Sequence, residues 1–262
     1  MTTRQVEPGL TVFGPDTAPP LVLVHGIRLS ATMWRPHAHR LAPDFRVSTP
    51  DLPCHGALAA QRFTLDAAVD TVRRAVREAR AATGRRPLLV GLSLGGYVSL
   101  AHTARHPEDV AAVLLHGCTA RTTGPLPAVY AAAGRLGERL GPELAARLQA
   151  RAMRRMLPPE SAEAVLAGGF HLPALTRGVA ELRRHDFLAM AARLTTPTLY
   201  LNGRADLPFR GDERRFLAAT RAAGTPARLF HTSGGHLLSL ADPDRFTTLL
   251  RRAHRQLLPQ EG

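Results

Sequence analysis

The chain has no lysine: all 34 of its basic residues are arginine. Set against 21 acidic residues, this leaves a formal charge of +13. Two readings of the excess stand side by side. A GC-rich coding sequence would replace lysine by arginine with no demand from the surface. Alternatively, the surface attracts anions such as carboxylates, CoA or an acidic carrier protein. Aromatic residues are scarce too, at 5%. A nucleic-acid module interleaves basic with aromatic residues or carries a recognisable motif; neither is present, so nucleic acid is not expected as a partner. Cys54 and Cys118 are too few for a disulfide framework, and neither stands in metal-ligand spacing. No apolar run approaches the ~18 residues needed to cross a bilayer, and residues 1–20 carry charges and prolines where a signal peptide would be apolar. These absences predict a cytoplasmic protein without a membrane partner and leave its oligomeric state open.

What is present suits one large domain or a domain with an insertion: 262 residues, 45% of them hydrophobic. Short apolar strands are expected at "LTVF" (10–13), "LVLVH" (21–25), "FRVST" (45–49), "PLLVGL" (87–92), "VAAVLLH" (110–116), "PTLYLN" (197–202) and "ARLFH" (227–231). Helices are expected over 31–42 with Pro36 in the first turns, over 64–82 between a Thr64 cap and Gly84, and over 94–105. Another opens near Asp212, and a last one starts with Asp242 as cap and Pro243 as first helical residue. Continuous apolar strands alternating with helices predict an α/β fold with a mostly parallel central sheet flanked by helices. Between 119 and 195 the alternation stops, and helices broken by glycine and proline follow one another. The expected organisation is therefore core 1–118, inserted helical cap 119–195 and core 196–262, with a loose proline-rich start and a loose "PQEG" end.

"GLSLG", around Ser93, stands after a buried strand and before a helix. A serine there sits on a sharp, strained turn that pushes its hydroxyl out at the sheet's carboxyl edge. Side chains at Gly91 or Gly95 would collide with neighbouring elements, and Gly96 lets the next helix pack closely. A hydroxyl needs a base to become nucleophilic. Of the twelve histidines, His236 follows the last strand on a glycine-rich loop, at the same edge as Ser93. The base needs a carboxylate to set its tautomer. Asp206 lies just past strand 197–202, while "HGCTA" after strand 110–116 offers no acid, and helix capping accounts for Asp186 and Asp242. The order Ser93, Asp206, His236 suits this chemistry.

Negative charge on the attacked carbonyl oxygen would be met by the N–H groups of Leu94 and Ile27, with Gly26 allowing the turn and His25 bracing it. Arg28, beside that pair, is either a solvated loop arginine or a holder of a substrate carboxylate. Trp34, Tyr97, Tyr130, Met153 and Phe170 are further candidate substrate contacts, within an apolar set that also includes Val129, Met156 and Phe187. In "PELAARLQARAMRRM" (142–156), Leu144, Leu148, Ala152 and Met156 share one face, with Arg147, Arg151, Arg154 and Arg155 on the rest. That basic side is either plain solvated surface or a rim that attracts anionic or carrier-linked acyl donors.

"LVLVHG", "VSTPDLPCHG", "LLVGLSLGGYVSLAHTARHPEDVAAVLLHG", "PTLYLNGRADLPF" and "SGGHLLSLADPDRF" together resemble the α/β-hydrolase family, in its capped branch of esterases and lactonases. The resemblance implies Ser93 as nucleophile, His236 as base, Asp206 as its partner, no metal or organic cofactor, and a cap that decides the substrate. Members that open epoxides or displace halide carry aspartate at the nucleophile position, so Ser93 argues against both reactions. Cys54 replaces a glycine in the family's D-x-P-G-x-G loop, which puts the local turn in question. The expected function is hydrolysis of a carboxylic ester, lactone or thioester through an acyl-enzyme. The alternatives are an acyltransferase, cyclase or lyase acting on a natural-product intermediate, and a non-catalytic ligand-binding protein.

Overall fold

A computed structural model of the chain describes residues 2–258. Among them the strands β1 (Thr3–Glu7), β2 (Leu10–Phe13), β3 (Pro20–Val24), β4 (Arg46–Pro50), β5 (Leu88–Leu92), β6 (Ala112–His116), β7 (Thr198–Gly203) and β8 (Ala227–Thr232) form one sheet in the order β1-β2-β4-β3-β5-β6-β7-β8. β3 to β8 run parallel; β1 and β2 are antiparallel additions at one edge. β1 corrects the expectation of a loose start, since Thr3 to Glu7 pair with β2. The "PQEG" end lies outside the described residues.

Helices α1 (Arg35–Leu41), α2 (Leu65–Thr83) and α3 (Leu94–Arg105) fill the first crossovers. Five helices stand between β6 and β7: α4 (Pro125–Leu140), α5 (Pro142–Met156), α6 (Pro159–Gly168), α7 (Leu172–Leu182) and α8 (Phe187–Ala191). α9 (Leu207–Arg210), α10 (Glu213–Ala222), α11 (Leu238–Ala241) and α12 (Pro243–Leu257) complete the chain. Local chemistry sets the helix ends. Thr64 Oγ1 accepts from Ala67 N–H at 3.1 Å, Gly84 closes α2 at φ 70°, and Asp242 Oδ1 accepts from Arg245 N–H at 2.9 Å. Among the described residues no helix is long and apolar enough to cross a membrane.

Successive residues of each central strand point to opposite faces, so the sheet has two cores. Val22, Val24, Leu89, Val113 and Leu115 pack with α2 and α3 residues in one buried cluster. Leu21, Leu23, Leu88, Val90 and Leu114 pack with α1 and α12 residues in the other. This explains why these strands read as unbroken apolar runs. β3 and β5 are parallel neighbours, with Val24 beside Gly91, so the loops that leave them emerge together at the carboxyl edge. The chain leaves β3 toward the face covered by α1 and leaves β5 toward the face covered by α3, and such a crevice favours ligands.

Two expectations about the inserted interval change. α8 belongs to the main core, where Phe187 meets Tyr97 with ring centroids 4.7 Å apart. In α5 the buried residues are Ala145 and Met153, whereas Leu144, Leu148 and Met156 face outward. The inward stripe is therefore displaced by one residue from the leucine stripe that the pattern favours.

Candidate active site

Ser93 lies between β5 and α3 with φ 54° and ψ −115°, a backbone conformation that costs a non-glycine residue free energy and is held by its surroundings. Ser93 N–H donates to the His116 carbonyl at 2.8 Å. A Cβ added at Gly91 would meet the Gly95 carbonyl oxygen at 2.3 Å, and one at Gly95 would meet that of Val24 at 2.4 Å. One at Gly96 would meet Cys118 Sγ at 2.6 Å. The three glycines thus permit strand, turn and helix to close on each other around the serine.

Asp206 and His236 come from loops joined by their backbones. Arg204 N–H donates to Thr232 C=O at 2.8 Å and Ala205 N–H to Gly234 C=O at 3.0 Å. Gly203 is a close approach, because a Cβ there would lie 2.3 Å from the Gly234 carbonyl oxygen. The result is a 2.8 Å hydrogen bond between His236 Nδ1 and Asp206 Oδ2, with the carboxylate buried. The imidazole stacks on Phe209, centroids 4.1 Å apart. Phe209 is held in turn by Thr119 Oγ1, which donates to its carbonyl at 2.6 Å and accepts from Asn202 Nδ2 at 2.9 Å. Among the described residues no hydrogen bond joins Ser93 Oγ to His236. Such contacts are often long without substrate and tighten once it binds.

Ser93 and Phe209 line one small cavity, together with Ile27, Leu94, Tyr97 and Tyr130. The Ile27 and Leu94 N–H groups are given to no protein acceptor among the described residues. Leu94 opens α3, so its N–H is one of the helix's free donors and sits at the positive end of the helix dipole. The cavity can therefore offer two backbone donors beside a strained serine, and its wall is mostly apolar.

The loop after β3 is braced by groups distant in sequence. His25 Nδ1 pairs with Gly26 C=O at 2.8 Å, and its Nε2 accepts from Leu52 N–H at 2.9 Å. His55 Nε2 accepts from Arg28 N–H at 3.1 Å. Arg28 C=O accepts from His171 N–H at 3.0 Å, and His171 Nε2 takes the Gly56 N–H at 2.8 Å. Asp51 closes the frame, accepting from Ala31 N–H at 2.7 Å and Ala57 N–H at 2.9 Å. Burial holds His25 near pKa 4 and His55 near 2, so both stay neutral and can accept these bonds. Cys54 keeps the turn its glycine counterpart would make, at φ 68°.

The candidate substrate contacts divide. Tyr97 and Tyr130 line the cavity, and Tyr97 Oη donates to Ala120 C=O at 2.6 Å. Trp34 does not line it: it is fully buried and stacks on Phe246, centroids 5.9 Å apart. Met153 and Phe170 belong to the apolar cluster that holds Leu29 and Leu157, also off the cavity wall. Arg28 stands behind Ile27, toward α5. Pattern reading missed Phe209, Arg121, Val179 and Leu182 on the wall. It also missed Gly117, where an added Cβ would lie 2.9 Å from His236 Cε1. Gly117 follows a strand in "LLHG" just as Gly26 does in "LVHG", a signal that was available.

His106, Glu108 and Asp109 form one cluster of metal-capable groups, at the opposite edge of the sheet where β6 begins. Asp109 is already paired with Arg73 at 3.1 Å, and nothing connects the cluster to Ser93.

Comparison with known proteins identifies the family. The family model described as the alpha/beta hydrolase family matches residues 21–249. The pimeloyl-[acyl-carrier protein] methyl ester esterase of Xanthomonas campestris pv. campestris is 28% identical over 256 residues, covering 89% of this chain and 94% of the relative. The enzyme of the same name from Neisseria meningitidis is 38% identical over 111 residues, 42% of this chain. There the match spans 40% of the relative's length. Among solved structures, a thermophilic esterase from Thermogutta terrifontis superimposes with TM-score 0.70 at 25% identity, covering 98% of this chain and 97% of the other.

Proposed function

The chain belongs to the alpha/beta hydrolase family, and from that premise we propose that it is a serine hydrolase cleaving a carboxylic ester, lactone or thioester through an acyl-enzyme. Ser93 Oγ attacks the carbonyl carbon while His236 Nε2 takes its proton. The tetrahedral oxyanion lies between the Ile27 and Leu94 N–H groups, each such donor being worth about 3 kcal/mol of transition-state stabilisation. Asp206 holds the imidazole with Nδ1 protonated and stabilises the imidazolium as it forms. The proton then passes to the leaving alcohol or thiol, and water, deprotonated by the same histidine, releases the acid. None of these steps needs a metal or organic cofactor.

The observation that carries this reading is a cavity holding a serine at positive φ and two unspent backbone N–H groups, with the imidazole of the Asp206–His236 pair stacked on Phe209 of its wall. A fluorophosphonate probe tests it, because the probe labels only an activated hydroxyl. Labelling of the native chain that disappears in Ser93→Ala is the expected result. No labelling of the native chain would leave a ligand-binding role on the same fold. Acyl transfer or cyclisation would label too, and product analysis separates these from hydrolysis by the acceptor used.

The relatives' printed names, which specify an acyl chain on a carrier protein, support a carrier-linked ester as the substrate class. Arg147, Arg151, Arg154 and Arg155 are exposed on α5 and form a basic surface on the insertion that could steer such an acidic carrier. For a carrier-linked ester kcat/KM should fall as salt rises, while a small neutral ester shows no such trend. The two cysteines, both buried and free, fit the reducing cytoplasm in which this reading places the reaction.

A further inference from the structure

Arg28 is a cation without a counter-ion. No carboxylate among the described residues lies within ion-pair distance of it; its Nη1 reaches only the amide oxygen of Gln149 on α5, at 3.3 Å, and its Nε is buried with no acceptor. Burial pulls its pKa below the ordinary arginine value, with the Tyr130 phenol acting in the opposite sense. A guanidinium withdrawn from water is costly unless acceptors replace the lost hydration, and the protein itself supplies only one.

The backbone at Arg28 is as unusual as its side chain. It adopts φ 66°, where glycine would be unstrained. His55 holds its N–H and His171 its C=O, at 3.1 and 3.0 Å. Strain maintained by bonds on both sides is characteristic of positions kept for a ligand. Arg28 follows Ile27, whose side chain lines the Ser93 cavity. Tyr130, on the same wall, feels both charges: Asp206 raises its pKa and Arg28 lowers it, on top of the rise due to burial. Arg28 is not itself on the wall but adjoins it, one residue from Ile27, with its guanidinium turned toward Gln149 of α5 and near enough to Tyr130 for its charge to act there. Arg121, which is on the wall, already pairs with Asp212 at 3.2 Å and is largely exposed.

We infer that Arg28 binds a carboxylate carried on the acyl part of the substrate, so that the preferred substrates are half-esters or half-thioesters of dicarboxylic acids. Gln149 adds an amide donor to the same carboxylate. The inference rests on the hydrolase reading for its orientation, with the reacting carbonyl at Ile27 and Leu94 and the second carboxylate at Arg28.

The test separates the two proposals, because binding to Ser93→Ala needs no reactive serine. Glutarate and adipate, each at 10 mM by design, should raise the melting temperature of Ser93→Ala by about 2 °C or more, and the matching diamides should not. The shift should vanish with Arg28→Gln added and survive in part with Arg28→Lys, which keeps the charge but loses the fork. In the serine-containing protein, monomethyl glutarate should be hydrolysed at least about tenfold faster in kcat/KM than the methyl ester of the half-amide, and Arg28→Gln should abolish that ratio. Equal stabilisation by acids and amides, no stabilisation by either, or a loss that follows Arg121→Gln and not Arg28→Gln, would each overturn the assignment. Failure of fluorophosphonate labelling would instead remove the hydrolase reading and leave the carboxylate site to be judged by the melting shifts.

Discussion

His236 Nδ1 lies 2.8 Å from Asp206 Oδ2, although the two residues are 30 positions apart and on different loops. The pairing is built from backbone. Gly203 allows the β7 exit to touch the Gly234 carbonyl, and two N–H···O=C bonds tie residues 204–205 to 232–234. The carboxylate is buried, so its charge acts on the imidazole through little water. Asp206→Asn should preserve the fold and lower kcat by about a thousandfold or more, because an amide can hold the ring in the wrong tautomer. Ester turnover alongside an unchanged circular dichroism spectrum would show this; a loss below tenfold would remove Asp206 from the proposed machinery.

Gly117 provides a test of position without touching charge. An alanine methyl there would sit 2.9 Å from His236 Cε1 and 3.1 Å from Nδ1, at φ 61°. Gly224 has a similar φ, 76°, with open space around it. Both alanine variants should lose about 1–2 kcal/mol of stability from the left-handed backbone. Only Gly117→Ala should also lose kcat, by roughly tenfold or more, because only there must the imidazole move. Equal kinetics in the two variants would contradict this placement of His236.

Acid should destabilise the protein well above the carboxylate range. Burial lowers the pKa of His25, His37 and His102 to about 4, of His116 to about 3 and of His55 to about 2. The unfolded chain binds these protons near pH 6.5 and the folded chain does not, so stability is full above that pH and declines as pH falls toward 4. At pH 5.5 unfolding should take up about four protons from these five groups. Urea midpoints measured from pH 8 to 5 should be level at first and then fall, and a flat profile down to pH 5 would refute the buried neutral state.

Strands β2 to β8 were legible, and Ser93, Asp206 and His236 stood out as candidates, because each has a local signature. An apolar run ends in glycine, or a polar residue stands on a glycine-rich turn at a strand's carboxyl end. The substrate contacts lacked one. Trp34 and Tyr97 are both large and buried, and only the tertiary arrangement puts Tyr97 on the cavity and Trp34 against Phe246. The frame behind Ile27 was equally hidden, since the bond from Gly56 N–H to His171 spans 115 residues and follows no period. β1 was missed because its residues are mostly exposed, leaving no apolar alternation to read.

α5 shows the same limit in energetic form and gives a direct check. Its leucines suggest a buried face through Leu144 and Leu148, yet Leu148 is 52% exposed while Met153 is 8% exposed. Met153 packs with the Leu29 and Leu157 cluster, behind the loop that carries Ile27. Met153→Ala should therefore leave a cavity and cost about 2–4 kcal/mol. Leu148→Ala removes a side chain already in water and should change stability by less than about 0.5 kcal/mol. Because the Met153 void would open next to Leu29, that variant should also slow turnover, while Leu148→Ala should leave kcat alone. Denaturant unfolding and ester kinetics on the two proteins distinguish the faces, and a larger cost at Leu148 would restore the leucine stripe as the buried side.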